Sequence, residues 1–201
     1  MGVLARRRHQ LVPALTRRDA TLLQGRAALS NSTLPAYGAP PPHADKAIIM
    51  GRELEAYDIY WLEEPVLPDD FSGYFRVADA LTTRVVGGES HFTRFDLKPF
   101  FEHRKCPILQ PDVIRGGLTD LRKTAAIADT FGLQMAPHLY PELMIHLMAS
   151  IPNGLIIEDM GLLDDIWVSW PRPEKGVMRA PETPGHGLVI KPEIMRDARV
   201  N

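Results

Sequence analysis

A single cysteine, Cys106, in 201 residues leaves no internal disulfide framework and no cysteine-based zinc site. One thiol points to a reducing compartment, and the expected location is cytoplasmic. No run of about 18 apolar residues occurs, so nothing reads as a membrane-spanning helix, and no membrane partner is expected. Positive charge is not in excess. Lys and Arg number 23 against 25 Asp and Glu, for a net charge of −2. No global field gathers phosphates, which excludes a generic nucleic-acid binder. What is present is apolar content: 45% of residues are hydrophobic, enough for a soluble domain to bury a core.

Two local absences divide the chain. No Asp or Glu lies between Asp19 and Asp45, and no Lys precedes Lys46. Residues 1–45 carry six Arg and only those two acids, while the remainder is net acidic. Arg6-Arg7-Arg8 and Arg17-Arg18 precede Pro40-Pro41-Pro42, a run that favours extended polyproline and opposes sheet pairing. A transit peptide shares this composition, but the spacing shows no clean amphipathic helix. Residues 1–43 therefore read as an Arg/Pro-rich leader, poorly ordered or foreign to the fold. A domain is expected over 44–201.

From His43 onward, short apolar runs alternate with helix-like stretches. Ile59–Leu62 ends at Glu63-Glu64-Pro65, and Thr83–Val86 ends at Gly87-Gly88-Glu89. Pro107–Gln110 ends at Pro111-Asp112, Leu133–Ala136 at Pro137-His138, and Leu155–Ile157 at Glu158-Asp159. Helices are expected over 46–57 with Asp45 as N-cap, and over 71–81, 92–104, 118–131 and 141–150. Leu121, Ala125, Ala128 and Phe131 form the clearest stripe, with Gly132 as its stop. Such alternation means parallel βα units. The strand-end residues Glu63, Glu89, Asp112, His138 and Glu158 follow one another at 26, 23, 26 and 20 residues. A (β/α) barrel allots roughly thirty residues per unit and builds its active site at the strand C-termini. The fold class expected is α/β, a partial TIM-type barrel with one ionisable group at each of five strand ends. Helix caps and solvated loop charges are the competing reading of those five residues.

Trp61-Leu62-Glu63-Glu64-Pro65, Gly88-Glu89, Gln110-Pro111-Asp112 with Gly116-Gly117, and Pro137-His138 together resemble the enolase superfamily. The resemblance is to its mandelate racemase/muconate lactonizing enzyme-like C-terminal domain, in the branch that includes acid-sugar dehydratases. It covers roughly residues 44–195. It implies Mg²⁺-assisted removal of the proton next to a carboxylate, with a lysine or histidine base and a stabilised ene-diolate.

On that resemblance, Glu63 and Glu89 match two of the family's metal ligands. Oxygen donors without cysteine suit Mg²⁺. His138 matches the general acid/base, because imidazole titrates near neutrality. Asp112 matches its partner, holding the tautomer and stabilising the imidazolium. Glu158 matches an acid that binds the substrate carboxylate or ene-diolate. Glu64, next along an extended strand, is expected to project the other way. His91, His146 and His186 read as loop or helix-face residues.

The pattern also departs from the family, which has another ligand Asp one unit before Glu63. The position 26 residues earlier is Tyr37. A lysine base and a capping domain are missing as well. The resemblance thus implies an N-terminally truncated barrel with an open sheet edge, which self-association as a homo-oligomer would cover. Three functions are carried forward. The first is an acid-sugar dehydratase-like lyase acting on a sugar-acid or 2-hydroxy-acid substrate and impaired by the missing half. The others are a racemase or epimerase, and a catalytically inactive barrel fragment.

Overall fold

The alternating runs fold as consecutive parallel β/α units in a computed structural model, which describes residues 12–16, 28–30 and 43–199. Two strands, β1 (Val12–Thr16) and β2 (Ala28–Ser30), come first. They are followed by α1 (Ala44–Glu55), β3 (Trp61–Glu63), α2 (Phe71–Ala80), β4 (Arg84–Val86) and α3 (Lys98–His103). Next come β5 (Ile108–Leu109), α4 (Val113–Thr130), β6 (Gln134–Met135), α5 (Pro141–Met148) and β7 (Ile157–Asp159). The last two elements are β8 (Val177–Met178) and α6 (Pro192–Asp197).

Parallel pairing runs from β2 to β3 to β4, with Ser30, Glu63 and Val86 at one level. Bridges from Gly87 to Leu109 and from Met135 to Gly154 carry it across β5 and β6 towards β7. β7 pairs in parallel with β1, and β8 closes antiparallel on β1. The architecture is the C-terminal portion of a (β/α) barrel.

Two segments of the expected leader are thus strands of the sheet and not apart from it. β1 pairs through its backbone with β7, and β2 with β3, and no local signal in the sequence announces it. The rest of residues 1–42, including Pro40-Pro41-Pro42, lies outside the described residues.

Helix ends follow local chemistry, with three departures. Asp70 caps α2 by accepting from Gly73 N–H at 2.8 Å. α1 begins two residues before Lys46, with His43 at the cap position and no side-chain bond there. Asp45 instead pairs with Arg76 at 2.5 Å. α3 is shorter than the expected 92–104, because Asp96 draws the Thr93 N–H into a turn at 2.9 Å. α4 starts five residues before Leu118, because Asp112 caps it, and it bends at Gly117 (φ 71°, ψ 157°).

Strand alternation sorts the core into two layers. Trp61, Val86, Ile108, Ala136 and Ile156 meet inside the barrel. Leu62, Val85, Leu109, Met135 and Ile157 face outward against the helices. There they meet Tyr74, Val77, Phe100, Leu121, Ala125, Ala128, Met144, Ile145 and Met148, all buried. Tyr74 and Phe100 pack edge-to-face at 5.3 Å. Each large side chain buried in this layer contributes about 1.5–3 kcal/mol. Residues two beyond an inward position face inward again, so Glu63, Gln110, His138 and Glu158 share the interior face at the strand C-termini.

Candidate active site

Asp112 and His138 stand at one level, bridged in parallel one βα unit apart. His138 Nδ1 lies 3.0 Å from Asp112 Oδ2. The other oxygen, Asp112 Oδ1, accepts from Ile114 N–H at 2.6 Å and caps α4. The carboxylate is therefore both a helix cap and a partner of the imidazole. His138 Nε2 lies 3.5 Å from Glu89 Oε2. Each imidazole nitrogen thus faces a carboxylate.

Glu89 reaches that position through Gly88. After inward Val86, simple alternation would send residue 89 outward. Gly88 has φ 125°, where an L side chain is strained, and the turn it makes reverses the direction. A Cβ there would also meet Leu97 at 3.2 Å and the Gln110 backbone nitrogen at 3.4 Å.

Burial opposes charge throughout the cluster. Burial, then the charges of Glu64, Glu63 and Glu158, push the Glu89 carboxyl up to about 7, against the pull of His138. Burial foremost also raises Glu158, against the Leu139 N–H that donates to its Oε2 at 3.1 Å. Burial alone would lower His138; Glu89, the Asp112 hydrogen bond and Glu158 outweigh it, and its pKa is raised. Four carboxylates therefore crowd one electrostatic neighbourhood around a single imidazole.

Glu63 joins them from β3, where Trp61 Nε1 donates to its Oε2 at 3.1 Å. Glu64, expected to project the other way from Glu63, lies beside Tyr74 of the outer layer, and its charge still acts on Glu89. Its backbone turns left-handed, with φ 41°, which breaks the alternation just after Glu63. Burial raises its pKa, while the Gly88 N–H holds it down. Glu64 Oε1 is buried without a hydrogen-bond partner, as is the nearby Tyr74 hydroxyl.

Two further polar residues were not singled out by spacing. Gln110 is buried with Oε1 unpaired, on the face that carries His138. Its place two residues after an inward Ile108 was the available signal. His91, read as a loop residue, is buried between Phe71 and Phe100 at ring distances of 5.4 and 5.6 Å. His146 and His186 lie apart from the cluster, with His146 Nε2 3.2 Å from the His186 carbonyl.

The donor set fits a hard divalent cation in its chemistry. Its donors are carboxylate oxygens, their charges oppose one another, and Glu64 Oε1 is a buried acceptor without a donor. Ligand number is the weaker part of the fit. Among the described residues, no three or more His, Cys, Asp or Glu side chains gather closely enough to hold a metal ion.

The model of the family described as enolase C-terminal domain-like matches residues 36–194. The chain belongs to this family. Its relatives include the 3,6-anhydro-alpha-L-galactonate cycloisomerase of Streptomyces coelicolor, 32% identical over 148 residues. That match covers 73% of this chain and 41% of the relative. The L-rhamnonate dehydratase of Saccharopolyspora erythraea is 32% identical over 151 residues, covering 69% of this chain and 39% of that protein. Among solved structures, L-talarate dehydratase from Polaromonas sp. JS666, complexed with Mg and L-glucarate, superposes with a TM-score of 0.76. It is 26% identical, over 86% of this chain and 46% of that one. The chain spans less than half the length of these family members. Among the described residues, no helix is long and apolar enough to cross a membrane.

Proposed function

We propose that this chain carries the proton-transfer centre of an acid-sugar dehydratase, acting on a small sugar acid with hydroxyls on both the carbon next to the carboxylate and the one after it. The observation that carries the reading is His138 held between Asp112 and Glu89 at the strand C-termini. Asp112 accepts the Nδ1–H, which leaves the lone pair on Nε2. Nε2 is then the base that takes the proton from the carbon next to the substrate carboxylate. Asp112 stabilises the imidazolium that forms. The same imidazolium returns its proton to the departing hydroxyl at the neighbouring carbon, and the enol product rearranges to a 2-keto acid. Glu158, turned inward on β7 and tied to Leu139, borders the same face.

Glu63 and Glu89 are the residues we assign to hold Mg²⁺. When bound, the cation supplies positive charge against the negative charge that develops on the substrate carboxylate. With two carboxylates for the cation, affinity is expected to be weak and turnover low. Mg²⁺ keeps its waters and needs near-octahedral oxygen geometry. Dehydration is favoured over racemisation because it needs one acid/base group, whereas racemisation needs a second on the opposite face. The single buried Cys106 accords with a reducing, cytoplasmic setting.

The test is α-proton exchange into D₂O, followed by NMR with Mg²⁺ and a panel of sugar acids, alongside assay of 2-keto product. Slow exchange that disappears in His138→Ala supports the reading. Exchange that survives His138→Ala, or that is absent from the unmodified chain, overturns it in favour of an inactive barrel fragment.

A further inference from the structure

The hydrogen bond from Trp61 to Glu63 joins two inward residues of one strand, and it reaches past packing into the metal reading above. Trp61 is 4% exposed and lies in the inner layer with Val86, Ile108, Ala136 and Ile156. Tyr60 braces it edge-on, with ring centroids 5.5 Å apart. A large planar side chain so enclosed has little rotamer freedom. Its one polar atom, Nε1, donates to Glu63 Oε2 at 3.1 Å. Glu63 itself is only half-buried, on a long side chain that is otherwise free to rotate. The indole is the rigid partner and the carboxylate the adjustable one, so the bond sets the direction of the carboxylate.

We propose that Trp61 is a positioning residue for Glu63, tying one carboxylate oxygen so that the other is presented to a divalent cation. This rests on the reading of Glu63 as a metal-holding residue. The physical reason is that a ligand oriented before the cation arrives does not lose its rotational freedom on binding. Partners that hold ligands in this way typically contribute 10–100-fold in metal affinity. A carboxylate with both oxygens free would swing, and two such carboxylates in one cluster would swing apart by repulsion. The indole N–H draws Glu63 inward against that repulsion.

The experiment is calorimetric titration of the full chain with Mg²⁺ alone, comparing the unmodified chain, Trp61→Phe and Glu63→Gln. Phenylalanine keeps an aromatic ring in the inner layer and removes only the donor. The expected result is an affinity about 10–100-fold lower in Trp61→Phe, with an unchanged circular dichroism spectrum, and a larger loss in Glu63→Gln. A loss in Glu63→Gln with none in Trp61→Phe overturns the positioning role and leaves the metal reading standing. No loss in Glu63→Gln overturns the metal reading itself, and the positioning role with it. A second measurement needs no substitution at Trp61. In the ¹⁵N-labelled chain, the Trp61 indole N–H resonance should move on Mg²⁺ titration and saturate with the calorimetric midpoint. A resonance that stays fixed while Mg²⁺ binds overturns the proposal even where Trp61→Phe fails to fold.

Discussion

Asp112 holds His138 Nδ1 with one carboxylate oxygen and the first turn of α4 with the other. The orientation of the imidazole is thereby coupled to a helix terminus. One carboxylate satisfies an otherwise unpaired helix N–H and attracts a proton to Nδ1 of the ring.

This coupling predicts a split between two substitutions. Asp112→Ala removes the cap as well as the histidine partner and should cost about 1–2 kcal/mol of stability, read by denaturant unfolding. Asp112→Asn retains a capping oxygen and should cost less than half of that. Both should lower the His138 pKa, followed by NMR of the ring protons, because the hydrogen bond that favours imidazolium is weakened. An unaltered His138 titration in either variant would contradict the pairing.

Stability without metal should depend on pH with a defined sign. Glu89 has a folded pKa of about 7 against an ordinary 4.5, raised by burial and then by Glu64. The folded state therefore binds more protons than the unfolded one, and stability falls as pH rises from about 4.5 to about 7. His138, also raised in the fold, acts in the same direction above its ordinary 6.5. Thermal melts across this window should show a falling Tm, and Glu89→Gln should lessen the fall below 7, with Glu64 and Glu158, both also raised by burial, supplying the rest. Added Mg²⁺ should restore stability at the upper end, since a cation bound only by the folded state stabilises it.

Gly88→Ala should be disproportionately costly for a one-methyl change. The new Cβ is strained at φ 125° and crowds Leu97 and the Gln110 backbone. A loss of about 1–3 kcal/mol is expected from the backbone alone. Glu89 should also turn from His138, so the His138 pKa falls. Denaturation and NMR titration of this one variant test the two effects separately.

Tyr74→Phe should be neutral or slightly stabilising, which is unusual for a fully buried tyrosine. Its hydroxyl makes no full hydrogen bond, only a weak contact with the Glu64 carboxyl, and the ring packs on Phe100 without it. Removing the hydroxyl relieves a desolvation cost of about 1–3 kcal/mol, offset by the loss of the contact that lowers the Glu64 pKa. A clear drop in Tm would show that the hydroxyl supports Glu64 more firmly than its geometry indicates.

Much of the barrel was legible because the βα repeat has a length. The separation of 26 residues between Asp112 and His138 is one strand, one helix and two turns, and it brings both residues to one level. Period-two alternation then turned Glu63, His138 and Glu158 inward, as their sequence positions after apolar runs implied. The hydrogen bond from Trp61 to Glu63 was not anticipated, although residues two apart on a strand share a face. Where backbone leaves the regular strand, pattern reading loses its grip. Glu64 takes a left-handed φ, Gly88 reverses the direction of Glu89, and Leu139 and Tyr140 are both left-handed just after His138. None of these follows from the side chains of Glu64, Leu139 or Tyr140, which do not favour that conformation. It is imposed by the packing and hydrogen bonds of neighbouring strands and loops.

The sequence by itself therefore determined the order of the β/α units, the interior face, and which ionisable residues stand at the strand ends. Those features depend on repeat length and on alternation, both local properties of the chain. The tertiary structure decided how those residues are aimed and charged, and that β1 and β2 enter the sheet. Aim and charge depend on burial and on partners from other strands, and the pairing of short apolar segments depends on which backbone groups the fold leaves free.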